Sequence, residues 1–458
     1  MKKRVLAVLL ALAMAVCLLP VVALANGVEC SKPNCNHAAE MNGLHYETLA
    51  AAIDAIGENG SGRITMLQSV SDLKDTWINK GKKVVLDLND QIISFKADNV
   101  FIIENGTLDI QGAGTISSSR ERAVYSTIYV VGSETDQQDY SVVTIGKDVV
   151  IKNDGSYGVA VLYGGTSNAA FGTKVTINGS VQSTWGLTVN GSIKQTTGNI
   201  PEIIVGETGE IISNGADGAG IYGAGYAKYI IAGELLGSEF GIEVRAGKLT
   251  IKDTAVITAT GDFTDPAPNG NGSTVKGVAV AVSQHTTNLP IKVNIEGGTI
   301  SATGTNGKAF YEIDTVKNES SADVAKGVTV NVLDGAFISG GIHSTNNNLN
   351  IVGGTFADDV SAYVNNSATS IAVTAAGATT YYVGPQAEQR VEAAVRANPS
   401  SSVEVKQGSV SLNLPAGVTV KNTSSSAITV NGDYVAAGQT VVSKIQNTDP
   451  ITSDLVVT

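Results

Sequence analysis

The sequence predicts an all-β protein, and within that class a parallel β-helix, a solenoid of short strands stacked coil upon coil. Three observations carry this expectation. Glycine is abundant, at 51 of 458 residues, while aromatic residues make up only 5%. Thr, Ser, Asn and Val are also plentiful, the chemistry of short strands closed by tight turns. Beyond residue 84 the chain repeats two short motifs at an irregular step, as coils with fixed strands and elastic loops do. With 43% hydrophobic residues the chain can bury a core, which excludes a disordered polymer.

Residues 1–25 come first. Lys2, Lys3 and Arg4 precede an apolar run from Val5 to Leu24, and Ala23-Leu24-Ala25 forms a small-x-small end. This is the layout of a secretory signal peptide, so the mature protein is expected outside the cell, secreted or at the cell surface. No later stretch approaches ~18 consecutive apolar residues, so no transmembrane segment is expected after cleavage. Cleavage removes three bases and no acid, taking the net charge from −12 to −15. A chain that acidic has no overall electrostatic footprint for nucleic acid and would repel polyanionic glycans unless a cation bridged them.

Residues 26–43 hold Cys30 and Cys35, the two cysteines left after cleavage. In an exported chain they read first as a disulfide. With His37 and His45 they could instead form a tetrahedral zinc site, although the spacing departs from the usual finger pattern. From Tyr46 to Ile56 the apolar residues Leu49, Ile53 and Ile56 share one helical face, and Gly57 ends the segment. This helix is expected to cap the open end of the stack, whose bare sheet edge would otherwise invite aggregation.

The stack itself is expected over 44–365. One repeat is an alternating apolar pair, a short glycine turn and a second apolar pair, as in Val175-Thr-Ile177-Asn-Gly179-Ser-Val181 and Ile351-Val-Gly-Gly354-Thr-Phe356. The other is a glycine followed by alternating apolar residues, as in Tyr157-Gly158-Val159, Trp185-Gly186-Leu187, Phe240-Gly241-Ile242 and Lys276-Gly277-Val278. The spacing gives roughly nine or ten coils between Val84 and Asp359. From Asn365 the texture shifts to Asn365-Asn366-Ser367-Ala368-Thr369-Ser370, and residues 366–385 read as a linker. Residues 386–458 then form a small C-terminal module, a helix from Gln386 to Asn398 stopped by Pro399 and followed by strands.

The stretch His45-Tyr46-Glu47-Thr48-Leu49-Ala50-Ala51-Ala52-Ile53, the strand Val85-Leu86-Asp87-Leu88-Asn89 and the closing Gly353-Gly354-Thr355-Phe356 resemble the exported pectate-lyase-like right-handed β-helix proteins of gut-type Gram-positive bacteria. The resemblance spans about 44–365. It implies a right-handed parallel β-helix, and it is nearly silent about activity, since many members have no assigned chemistry.

Polysaccharide lyases and hydrolases share this superfamily, so each enzyme motif matters. Of the hydrolase motifs only the paired acids Asp358-Asp359 occur, and they read as exposed turn residues. A lyase needs carboxylates for calcium and a nearby base. The best constellation is Glu243 and Arg245 with Asp262 and Asp265. Strand alternation puts Glu243 and Arg245 on the outer face, as a solvated ion pair or as part of such a site. Tyr157, Trp185, Tyr222, Tyr226, Tyr229 and Phe240 offer a second chemistry. Lined up on one face these rings could stack on sugars, or they could pack against one another under a loop. The expected function is therefore non-catalytic binding of a polysaccharide or host-surface ligand, with a calcium-dependent lyase-like enzyme as the alternative.

Overall fold

The structure is a computed structural model, which describes residues 27–28, 36–96, 99–119, 126–264, 275–284, 287–313 and 327–444. Residues 1–26, Cys30, Cys35 and Asp265 lie outside them, and with them the expected signal peptide, the expected disulfide or zinc cysteines and part of the expected calcium site. Apart from two helices, the described residues form mostly strands in long parallel sheets that do not close into a barrel.

Each turn of chain visits three faces in succession. Thr173–Ile177 lies on the first face, and the long bent strand Ser180–Val189 crosses the second and then the third. The next turn repeats the order with Glu202–Val205, Glu210–Ser213 and Ala219–Gly223. Strands on each face pair in parallel with the turns before and after, without slippage through most of the stack. Inward positions therefore stay in file: Val175, Ile203 and Tyr229 are successive partners, as are Ile177, Val205 and Ile231. All six are fully buried. The arrangement is consistent with a solenoid-like β fold.

The first face is a 13-stranded sheet. Its first two pairings, Leu44–Tyr46 with Ala39–Met41 and Ala39–Met41 with Ser61–Met66, are antiparallel, and those from Ser61–Met66 with Lys82–Asp87 onward to Leu349–Ile351 are parallel. At its outer surface Asn294, Asn331, Asn350 and Asn365 form a ladder, each amide donating to the preceding residue's carbonyl oxygen at 3.2, 3.2 and 2.9 Å.

Helix α1 covers Leu49–Ala55 and is shorter than the apolar pattern suggested, because Leu44–Tyr46 is drawn into the sheet. The Thr48 hydroxyl accepts the Ala51 N–H at 3.1 Å as its N-cap. Leu49, Ala52 and Ile53 are buried in the same core as the stack. At the other end of the helix the buried Lys82 ammonium donates to the Ile53 carbonyl at 2.9 Å.

The stretch read as a linker is not one. Ser370–Ala375 and Ala378–Val383 form an antiparallel hairpin around Ala376 and Gly377, both with positive φ. Ala378–Val383 also pairs antiparallel with Gly354–Phe356, so the hairpin extends the second face directly. Its Ser, Thr and Ala content suggested flexible chain, but Ser370–Val373 are all buried and the pairing to Gly354–Phe356 makes it a hairpin. Helix α2, Ala387–Ala397, packs Ala387, Val391 and Val395 into a separate C-terminal core with Val403, Leu412 and Val420. Two ion pairs tie this unit to the last turns, Arg390 to Asp334 at 2.8 Å and Lys406 to Asp359 at 3.1 Å.

Candidate functional site on the third face

The repeat of a glycine followed by alternating apolar residues runs along the third face. Val159, Leu187, Ile221 and Ile242 point into the stack, so the residue after each points out. Register places these outward residues in one row: Ala160, Thr188, Tyr222, Glu243 and Ala281 are successive partners. A second outward pair, Tyr157 opposite Trp185, stands beside it.

Together these rows shape a cavity of about 410 Å³ lined by Tyr157, Trp185, Tyr222 and Phe240, with Thr188, Asn190, Asp217 and Glu239 as its polar groups. That volume is in the usual range for a small-molecule site. The Tyr157 and Trp185 rings lie 5.5 Å apart at 43°, and Tyr222 and Phe240 lie 6.4 Å apart at 47°. The Trp185 indole N–H donates to the Asp217 carbonyl at 2.7 Å, which fixes the ring. At the rim Lys276 bridges the Asp217 and Glu239 carboxylates at 2.7 and 3.1 Å. Those hydrogen bonds, from Asp217 and then Glu239, hold the Lys276 ammonium above its ordinary pKa. Burial pushes the Tyr157 phenol up, and Tyr222, Glu239 and Glu243 push the same way against a hydrogen bond with Thr188. Tyr157 is therefore a neutral hydroxyl through the physiological range.

Four of the six aromatic candidates thus meet in one place, and two do not. Tyr229 is inward-facing and fully buried, its hydroxyl donating to the Gly225 carbonyl at 3.0 Å. Tyr226 is buried as well, so neither can stack on a ligand. Phe240 is itself fully buried and joins Ala219, Val278 and Tyr311 in an outer apolar cluster, so it supports the cavity wall.

Glu243 and Arg245 require a correction. Alternation does turn them outward, yet both are fully buried. Ser283, which follows Val278–Val282 on the next turn of the stack, contacts both: its hydroxyl donates to Glu243, and Arg245 Nε lies 3.4 Å from its carbonyl oxygen and 4.0 Å from Glu243 Oε1. Arg245 Nη1 donates to the Tyr222 hydroxyl at 3.1 Å, so the buried guanidinium props a wall of the cavity. Burial by partners on neighbouring turns is a tertiary event that strand alternation cannot report.

Asp262 is exposed and accepts the Thr305 N–H at 2.6 Å, a bond that holds its pKa below the ordinary Asp value. Asp358 accepts the Ile342 N–H, and Asp359 accepts from Ser361 and Lys406, so both act as turn and junction acids. The His37 and His45 rings meet edge to face at 5.8 Å. Among the described residues no three His, Cys, Asp or Glu side chains come together closely enough to hold a metal ion. Nor is any helix among them long and apolar enough to cross a membrane.

Sequence reading missed Thr188, Asn190, Asp217, Glu239 and Lys276. The first two carried a usable signal, as outward positions two and four after the ladder glycine Gly186. Asp217, Glu239 and Lys276 lie outside the strands, where periodicity says nothing. Comparison with protein-family models, curated proteins and solved structures returns no match, so no relative's chemistry bears on the cavity.

Proposed function

We propose that this is an exported right-handed parallel β-helix of the pectate-lyase-like class that binds a neutral glycan, without catalysis, in the third-face cavity. The observation that carries the reading is the convergence of Tyr157, Trp185 and Tyr222 on one cavity of about 410 Å³ beside Thr188, Asn190, Asp217 and Glu239. Aromatic faces pack against the C–H side of a sugar ring, while hydroxyls and carboxylates orient its equatorial hydroxyls. Two carboxylates against one ammonium at the rim disfavour an acidic sugar there. The export signal, the three-faced parallel stack and the capping helix support the surface or secreted setting and the finer fold assignment.

The test is an array of plant and mucin glycans probed with the full-length protein and Trp185→Ala. Binding to a neutral glycan is expected, weakened about tenfold in the variant, the ordinary scale for losing an aromatic anchor. An array with no hit above background, or hits indifferent to Trp185, would end this reading.

A further inference from the structure

A different face carries a different signal. On the outer surface of the first face, Lys174, Glu202, Lys228, Lys248 and Lys292 are successive register partners, one per turn of the stack. Glu202 sits between two lysines and pairs with both, Lys174 at 3.3 Å and Lys228 at 2.6 Å, and these contacts outweigh its burial to hold its pKa low. Past Lys228 the alternation of sign stops. Lys248 and Lys292 are exposed, and among the described residues neither has an ion-pair partner. Neighbouring strands lie about 4.8 Å apart, so the three lysines span roughly 10 Å along the stack axis.

Like charges directly opposite on adjacent strands repel and destabilise a sheet. In a chain with 42 acidic and 30 basic residues, a carboxylate at either position would relieve that repulsion. The row is instead continuous and faces solvent. The column beside it, Ile230, Thr250 and Asn294, is half-buried and free of aromatic rings. Single-stranded nucleic acid is held by aromatic stacking platforms together with charge, and this surface offers only the charge. The Thr250 hydroxyl and the Asn294 amide beside a line of ammonium groups suit a sugar backbone carrying regular anions.

We propose that Lys228, Lys248 and Lys292 form a binding site for a sulfated polysaccharide lying along the axis of the stack. A sulfate ester presents three terminal oxygens and stays ionised, so ammonium groups one turn apart can both donate to the same ester. The site is separate from the aromatic cavity and does not depend on it. It also revises the expectation drawn from net charge, because a local row attracts what the whole surface repels.

Dextran, carboxymethyl dextran, dextran sulfate and a dT20 oligonucleotide of matched concentration in charge would be titrated against the full-length protein at several salt concentrations. Dextran sulfate is expected to bind, with affinity falling as salt rises through counterion release. Lys248→Gln/Lys292→Gln should weaken it about tenfold and flatten the salt dependence. Lys248→Arg/Lys292→Arg should retain binding, and so should Lys83→Gln, an exposed lysine far along the same face. Trp185→Ala should leave it untouched, which separates this site from the glycan cavity. No dextran sulfate binding, binding indifferent to the Gln pair, or equal binding of carboxymethyl dextran or dT20 would each overturn the assignment.

Discussion

At the scale of single residues, the ladder glycines are tightly constrained positions in the stack. Gly158, Gly186, Gly220 and Gly241 all sit at or beside the corner where the second face meets the third. A Cβ on Gly186 would stand 2.2 Å from the Gly220 carbonyl oxygen, and one on Gly220 would stand 2.2 Å from that of Gly241. The obstacle is backbone of the next turn, which cannot move aside without breaking its own pairing. Gly220→Ala should therefore cost about 1–3 kcal/mol, the range for overpacking. Gly57→Ala, where a Cβ meets nothing within 4 Å, should change the unfolding midpoint little. Urea denaturation of both variants checks this, and equal effects would show that the corner tolerates a methyl group. The sequence made these glycines visible because a steric requirement that recurs each turn leaves a repeating letter. Burial of Glu243 and Arg245 left no such trace, since their partners Tyr222 and Ser283 lie on the neighbouring turns and repeat no letter.

At the scale of elements, strands were legible wherever inward residues alternate, and both helices were found within a few residues of their ends. The asparagine ladder escaped notice because Asn294, Asn331, Asn350 and Asn365 are 37, 19 and 15 residues apart, so only the register reveals that they stack. Asn331 is the instructive member, since it donates to Asn294 and accepts from Asn350. Asn331→Ala removes both amide hydrogen bonds and takes away the partner of the Asn294 carbonyl oxygen and of the Asn350 amide N–H. Each such bond contributes about 0.5–1.5 kcal/mol, so a loss of about 1–3 kcal/mol is expected in thermal or urea unfolding. Asn331→Asp should fall between wild type and Ala, because its carboxylate still accepts from Asn350 but no longer donates to Asn294. A variant as stable as wild type would mean that backbone pairing alone holds these turns. The hairpin at 370–383 was misread for a related reason: its small polar residues look like loop, and its strand character comes from pairing to Gly354–Phe356.

At the scale of the whole molecule, the stack is closed at one end by α1 and continued at the other by the C-terminal unit, whose core is separate. Across that second junction two carboxylates carry the charge. Burial would raise Asp334, but the Arg390 hydrogen bond, the Gly335 N–H and the Arg390 charge outweigh it and hold its pKa below the ordinary Asp value. Burial likewise opposes the Ser361 and Lys406 contacts at Asp359 and is again outweighed. A carboxylate with a depressed native pKa contributes stability that is fully present above its unfolded value, about 3.9, and is lost as pH falls through the lower native value. The junction should therefore hold at pH 5–7 and weaken below about pH 4. Asp334→Asn/Asp359→Asn should lower the melting temperature near neutral pH and shrink its fall between pH 4 and 2.5, since fewer native carboxylates remain to protonate. Both groups are partly exposed, so high salt should mute the difference. A double variant whose melting temperature falls with acid as steeply as the wild type's would place the acid sensitivity elsewhere, in Glu202 or Asp262, whose pKa values are also held low. The two ion pairs would then be contacts of the docked state that add little to its stability.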